Sequence, residues 1–234
     1  MPCKPTHIPY GLSDPAKRYI CNPGIKDEAE LVKYGIETNG EYFYVKVVVG
    51  PGGGALVHRH YGYGEKFYPI EGDLGVLGHN GTKTMTLKKG ETYHVQPGEW
   101  HRFFNPSQTE NIVFEAKVEP AHAGFEKSLY IWYGIAADGH ADATGAPKSL
   151  LHFLMLASMG DMSTPGLGGW LLGLVVALAG WIGWITGEEE RLTRKYYGKP
   201  VGEATDEVSI SDSQPQLMLR MLTRLLSPRR RRCT

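Results

Sequence analysis

Two runs constrain this chain more than any other feature. The first reads Gly52, five residues, His58-Arg59-His60, four residues, Glu65, six residues, Gly72. The second runs from Gly90 through Gln96-Pro97-Gly98 to His101 and Asn105. At the spaced positions they place three histidines, His58, His60 and His101, and one carboxylate, Glu65. On an extended strand alternate side chains share a face, so His58 and His60 point the same way. Glu65 follows Tyr61-Gly62-Tyr63-Gly64, whose two glycines suit a turn or bulge. Imidazole and carboxylate together suit Fe(II), Mn(II), Zn(II), Ni(II) or Cu(II), and exclude none of them.

The surrounding residues, 39–136, read as strands. Glu41 to Val49 is rich in β-branched and aromatic residues and stops at Gly50-Pro51-Gly52-Gly53-Gly54. Further short runs lie at 54–60, 65–71, 73–78, 83–88, 91–96, 100–104, 111–119 and 126–135. Turn signals such as Glu71-Gly72-Asp73, His79-Asn80-Gly81 and Asn105-Pro106-Ser107 separate many of them. Many short strands with such turns predict a sandwich or barrel.

At this point the chain resembles the cupin superfamily. Gly52, His58, His60, Glu65 and Gly72 fall on every position of that family's first motif. Gly90, Gly98, His101 and Asn105 fall on its second, where Gln96 stands in place of the proline and Pro97 follows it. The resemblance implies an all-β fold, a single cupin jelly-roll barrel, to which composition adds a C-terminal helical, apolar segment. It also implies that His58, His60, Glu65 and His101 bind one divalent metal, with Fe(II) the favoured ion. Four protein ligands leave room on a five- or six-coordinate ion for a substrate oxygen, water or O2. Aromatic residues crowd the ligands. On strand parity Tyr93 and Phe103 share the ligand face and are the candidates for lining a substrate pocket.

Lys+Arg and Asp+Glu both number 25, so no net field favours nucleic acid. The three cysteines, Cys3, Cys21 and Cys233, form no CxxC, which reads as a reducing compartment without disulfides. No apolar run follows the basic N-terminal residue, so no secretory signal is expected.

Composition divides the chain into a lead-in (1–38), the barrel with its metal site (39–136), a helical region (137–200) and a polar then basic tail (201–234). From Ser149 to Gly187 the one Asp, Glu, Lys or Arg is Asp161. Leu167–Ile185 is long enough to span a bilayer core, since about 20 residues at 1.5 Å each cover about 30 Å. Trp170 lies near one end, Trp181 and Trp184 near the other, and Gly169, Gly173 and Ala177 form a small-residue face. The segment therefore predicts a membrane-associated chain, single-pass if 167–185 spans. The alternative is a helical hairpin, Leu150–Met159 plus 167–185, packed on the barrel. Gln216 to Leu226, followed by Arg229–Arg232, suits an anionic membrane surface or a disordered basic tail.

Three stretches, 124–129, 133–139 and 147–150, are similar to single-domain cupins of fungal polyketide gene clusters, some of which make salicylaldehyde-type products. That likeness implies a metal-dependent oxidoreductase of secondary metabolism acting on a hydrophobic phenol, enol or alcohol. The alternatives are a non-redox Lewis-acid isomerase, cyclase or dehydratase at the same metal, and a non-catalytic metabolite-binding cupin. The expected partners are a small hydrophobic organic substrate and a membrane. A homo-oligomer is left open, and no nucleic-acid partner is expected.

Overall fold

The structure, a computed structural model, describes residues 6–165 and 170–203. In chain order the elements are β1 (His7–Pro9), α1 (Tyr10–Ser13), β2 (Tyr19–Asn22), β3 (Asp27–Lys33), β4 (Phe43–Val49), β5 (Gly64–Glu71), β6 (Leu74–Gly78), β7 (Lys83–Leu87) and β8 (Tyr93–Val95). They continue with β9 (Arg102–Phe104), β10 (Ile112–Glu119), α2 (Ala123–Ala137), α3 (Leu150–Met159), α4 (Trp170–Ile185), α5 (Glu188–Tyr196) and β11 (Gly198–Pro200).

β4 and β10 show why this sequence makes a barrel. In each, every second residue is buried: Phe43, Val45, Val47 and Val49 in one, Ile112, Phe114, Ala116 and Val118 in the other. A strand covered on one face alternates in this way. The two pair antiparallel from Ile112 opposite Val49 to Val118 opposite Phe43. They form the middle of a six-stranded sheet ordered β2-β3-β4-β10-β5-β8, and a second sheet is ordered β7-β6-β9. One core, including Leu31, Phe67, Leu74, Val76 and Phe114, fills the space between the sheets. The lead-in extends the larger sheet through β2 and β3.

Three expectations change. The run 126–135 is not a strand but most of helix α2. His122 caps it, its Nδ1 accepting from the Phe125 N–H at 3.0 Å. Phe125, Leu129 and Trp132 turn toward the barrel core while Ile131 and Ile135 pack on the neighbouring helices. A helix covered on several sides loses its polar stripe and so reads like a strand. The run 54–60 forms no strand either. It contributes single bridges from Gly54 to Phe104, His58 to His101 and Arg59 to Ser163. Cys21 is disulfide-bonded, against the expectation of a chain without disulfides.

The expectation of a membrane-associated, single-pass chain is also overturned. No helix among the described residues is long and apolar enough to cross a membrane. The described α4 covers 16 residues, about 24 Å at 1.5 Å per residue, against a core of about 30 Å. It packs as the hairpin partner of α3. Among the described residues the contact runs through Gly180 and Gly183, and not through Gly173 and Ala177. A Cβ on Gly180 would sit 2.5 Å from Ser158 Oγ, and one on Gly183 would sit 2.4 Å from Met155 Sδ. Gly173 meets nothing within 4 Å, Ala177 is exposed, and Gly169 lies outside the described residues, as do 216–226 and 229–232.

α2 approaches the end of α3 just as closely: a Cβ on Gly124 would fall 2.1 Å from the Met159 carbonyl oxygen. Backbone cannot yield as a side chain can. Gly124→Ala is therefore expected to destabilise by about 1–3 kcal/mol, as overpacking typically does, and to lower the midpoint of thermal denaturation by several degrees. Gly173→Ala, in open space on a helix, should leave it unchanged or raise it.

Candidate metal centre

His58 and His101 are neighbours because their backbones pair. The His58 N–H donates to the His101 carbonyl at 2.9 Å, and the His101 N–H returns to the His58 carbonyl at 2.9 Å. This single antiparallel bridge joins the two histidine-bearing runs and sets the rings 4.3 Å apart, centroid to centroid. His60, two residues on, keeps the same face, its ring 5.0 Å from that of His101. Glu65 enters from the start of β5.

The backbone also aims each imidazole. Nδ1 of His58 lies 2.8 Å from the Leu56 carbonyl, that of His60 2.6 Å from Tyr63, and that of His101 2.9 Å from Glu99. A carbonyl only accepts, so each Nδ1 carries the hydrogen and each Nε2 is directed at the site, where the neutral ring has its lone pair. Nε2 of His60 and of His101 are buried with no hydrogen-bond partner. Glu65 lies between them, Oε1 3.5 Å from His60 Nε2 and Oε2 3.4 Å from His101 Nε2. One donor atom from each of the four residues falls within 4.8 Å of all the others.

The electrostatics fit a cation. Burial disfavours a charged His58 and nearby His101 adds repulsion, taking it down to about 3. Burial works against an ionised Glu65, but the His101 and His60 rings facing it outweigh that and hold its carboxyl well below the usual range. Glu65 in turn raises His101 against the effect of its burial, so positive charge is favoured among these groups, and one carboxylate with three imidazoles is a donor set for a divalent ion. Left without one, the buried nitrogens would each cost on the order of 1–3 kcal/mol.

Three supports were not legible as such. Asp161 Oδ2 accepts from the Tyr61 and Gly62 N–H groups at 2.8 and 2.5 Å, pinning the loop between His60 and Glu65. Its signal was its isolation as the lone charge in an apolar stretch. Tyr63 lies flat on His60, 3.9 Å between ring centroids, and its hydroxyl donates to the Gly160 carbonyl at 2.8 Å. Gln96 uses an N–H that proline lacks, donating to Glu99 Oε2 at 2.9 Å, and the Glu99 carbonyl in turn holds His101.

The tetrad opens into a cavity of about 530 Å³. His58, Glu65 and Phe103 stand on its barrel wall. Phe125, Leu129, Trp132 and Phe153 from α2 and α3 form the opposite wall. The apolar helical region is thus a roof over the site. Tyr93 is not on the wall. Its hydroxyl donates to Glu99 and accepts from the His79 N–H, and its ring packs against Gly78.

Residues 40–116 match a family model described as "Cupin domain". This stretch is a cupin domain. Similar solved structures include the polyketide cyclase RemF from Streptomyces resistomycificus, with 18% identity and a TM-score of 0.36. The match covers 40% of this chain and 65% of that one. A predicted oxalate decarboxylase from Thermotoga maritima has 22% identity and a TM-score of 0.38, with 40% and 80% covered. A sugar phosphate isomerase of the cupin superfamily from Silicibacter pomeroyi has 17% identity and a TM-score of 0.35, with 40% and 59% covered. No curated protein matches the chain. The helices that roof the cavity lie beyond the cupin match.

Proposed function

We propose that this cupin is a metal-dependent oxidoreductase acting on a hydrophobic phenol, enol or alcohol of polyketide type. The observation that carries the reading is the cavity, with His58 and Glu65 on one wall and apolar aromatic side chains on the other. A pocket of this kind suits a planar apolar substrate with one oxygen directed at the tetrad. Fe(II) is the preferred ion. A divalent metal held by His58, His60, Glu65 and His101 would supply a Lewis acid and a redox centre, lowering the pKa of an oxygen it binds.

The chain's own residues do the rest. The three carbonyl contacts keep the imidazoles aimed with Nε2 toward the site, so no rearrangement is needed when substrate arrives. Phe125, Leu129 and Trp132 exclude water from the reacting oxygen. Phe125 and Leu129 come from the stretch 124–129, and Tyr133, also on the wall, from 133–139. Both stretches resemble the polyketide-cluster cupins, which supports the substrate class.

Oxygen uptake by Fe(II)-loaded protein, assayed with hydroxyaromatics and benzylic alcohols, tests the proposal. Uptake is expected with wild type and should fall at least about a hundredfold in His101→Ala, the size of effect that loss of a metal ligand produces. Turnover of the same compounds in strict anaerobiosis without another oxidant would replace the redox reading with isomerisation, cyclisation or dehydration.

A further inference from the structure

Arg59 lies between two metal-ligand histidines yet has no partner for its charge. Its backbone pairs with Ser163 in the roof, N to O at 3.0 Å and O to N at 2.9 Å. Its guanidinium lies over Trp100 at 4.3 Å and over Tyr61 at 5.0 Å. Nε is buried with no hydrogen-bond acceptor. Among the described residues no carboxylate lies within ion-pair distance of Arg59. Arg18, Arg191 and Arg194, by contrast, all pair with glutamates. Arg59 also shares the cavity wall with His58 and Glu65, and Glu65 is already engaged by two histidines.

The faces of Trp100 and Tyr61 offset part of the cost of holding this cation in the cavity wall, but the buried Nε still lacks an acceptor, which an arriving anion would supply. The two rings fix the plane of the guanidinium and leave its edge as a preformed fork of donors. That shape matches a carboxylate, whose two oxygens accept in one plane. We propose that Arg59 is a carboxylate-binding subsite and that the substrates of this cavity are hydrophobic aromatic acids. Their carboxylate docks on Arg59 while a second oxygen reaches the tetrad. The inference rests on the cavity's taking a hydrophobic organic substrate, and it narrows that class to acids.

Titration calorimetry of the protein as purified tests it with two probes of one shape, 2-naphthoate and neutral 2-naphthamide. Wild type is expected to bind naphthoate about ten- to a hundredfold more tightly, the range of a charge-assisted pair. Arg59→Met should bind the two probes equally, near the amide's affinity. Arg59→Lys, which keeps the charge but not the fork, should retain part of the preference. Equal binding of both probes by wild type, or a full naphthoate preference surviving in Arg59→Met, would overturn the Arg59 subsite alone. Binding of neither probe to wild type would overturn the hydrophobic-substrate reading and the subsite with it.

Discussion

Glu65→Gln is expected to lower divalent-metal affinity by about a hundredfold or more. Changing a residue that merely supports a ligand typically costs 10–100-fold, so replacing a ligand should cost no less. The substitution preserves shape and removes the charge. Glu65 is the one anionic group in the tetrad, and both of its oxygens face histidine nitrogens that have no other partner. A glutamine there puts N–H hydrogens toward one of those lone pairs and leaves a site that repels a cation. Metal content after dialysis reads this directly. Thermal denaturation reads it independently. Wild type saturated at about 100–1,000 times its dissociation constant gains about 3–4 kcal/mol from the ion, or on the order of 10 °C in a chain of this size. A chelator should therefore lower the wild-type midpoint and leave that of Glu65→Gln unmoved. A variant that keeps its metal at full stoichiometry would remove Glu65 from the ligand set.

Asp27→Asn should stabilise the protein at pH 8 and do little at pH 4. Asp27 opens β3 and is 1% exposed. One of its oxygens accepts from the Tyr133 hydroxyl at 2.7 Å and the other has no partner. Burial pushes the carboxyl up, the Tyr133 bond pulls it back in part, and Glu28 adds to the rise, leaving it at about 7. An unfolded aspartate titrates near 3.9. Between those values the folded chain holds a proton that the unfolded chain has lost. Stability is therefore full below about pH 4 and falls by about 1.4 kcal/mol per unit until pH passes through 7. The total is on the order of a few kcal/mol. Asparagine cannot ionise and escapes the loss. The difference in melting temperature between variant and wild type, which cancels most other titrations, should grow from pH 4 to pH 8. A difference that stays constant across this range would show that Asp27 does not titrate there.

The tetrad was legible because its geometry is written in spacing. His58 and His60 alternate along extended backbone, and one bridge to His101 completes the arrangement. The strands that alternate cleanly, β4 and β10, were legible for the same reason. α2 was not, because a helix covered on several sides carries no periodic polar stripe. The 167–185 segment misled for a related cause. Some of its apolar positions face α3 and the cavity, while others, Leu174, Leu178, Trp181 and Trp184 among them, are exposed, and neither set can be told in one dimension from residues that face lipid. What distinguishes the described part of the segment, α4, is the glycines that seat it on Ser158 and Met155. Tyr93 was placed by strand parity, but β8 has only three residues and its hydroxyl is taken by Glu99, away from the cavity. Asp161 stood out as a lone charge, yet its use depends on a loop a hundred positions earlier, which no local pattern encodes.

The first and last described strands, β1 and β11, are zipped together, His7 opposite Pro200 and Pro9 opposite Gly198. The barrel strands end at Glu119, roughly 80 residues earlier. At a synthesis rate of about 5–20 residues per second, the four ligands can assemble several seconds before that clasp exists. Contacts between such distant positions form late, after the loop that joins them has been closed. The order of emergence from the ribosome thus lets the barrel and its candidate ligands form well before the strand that clasps the described ends together.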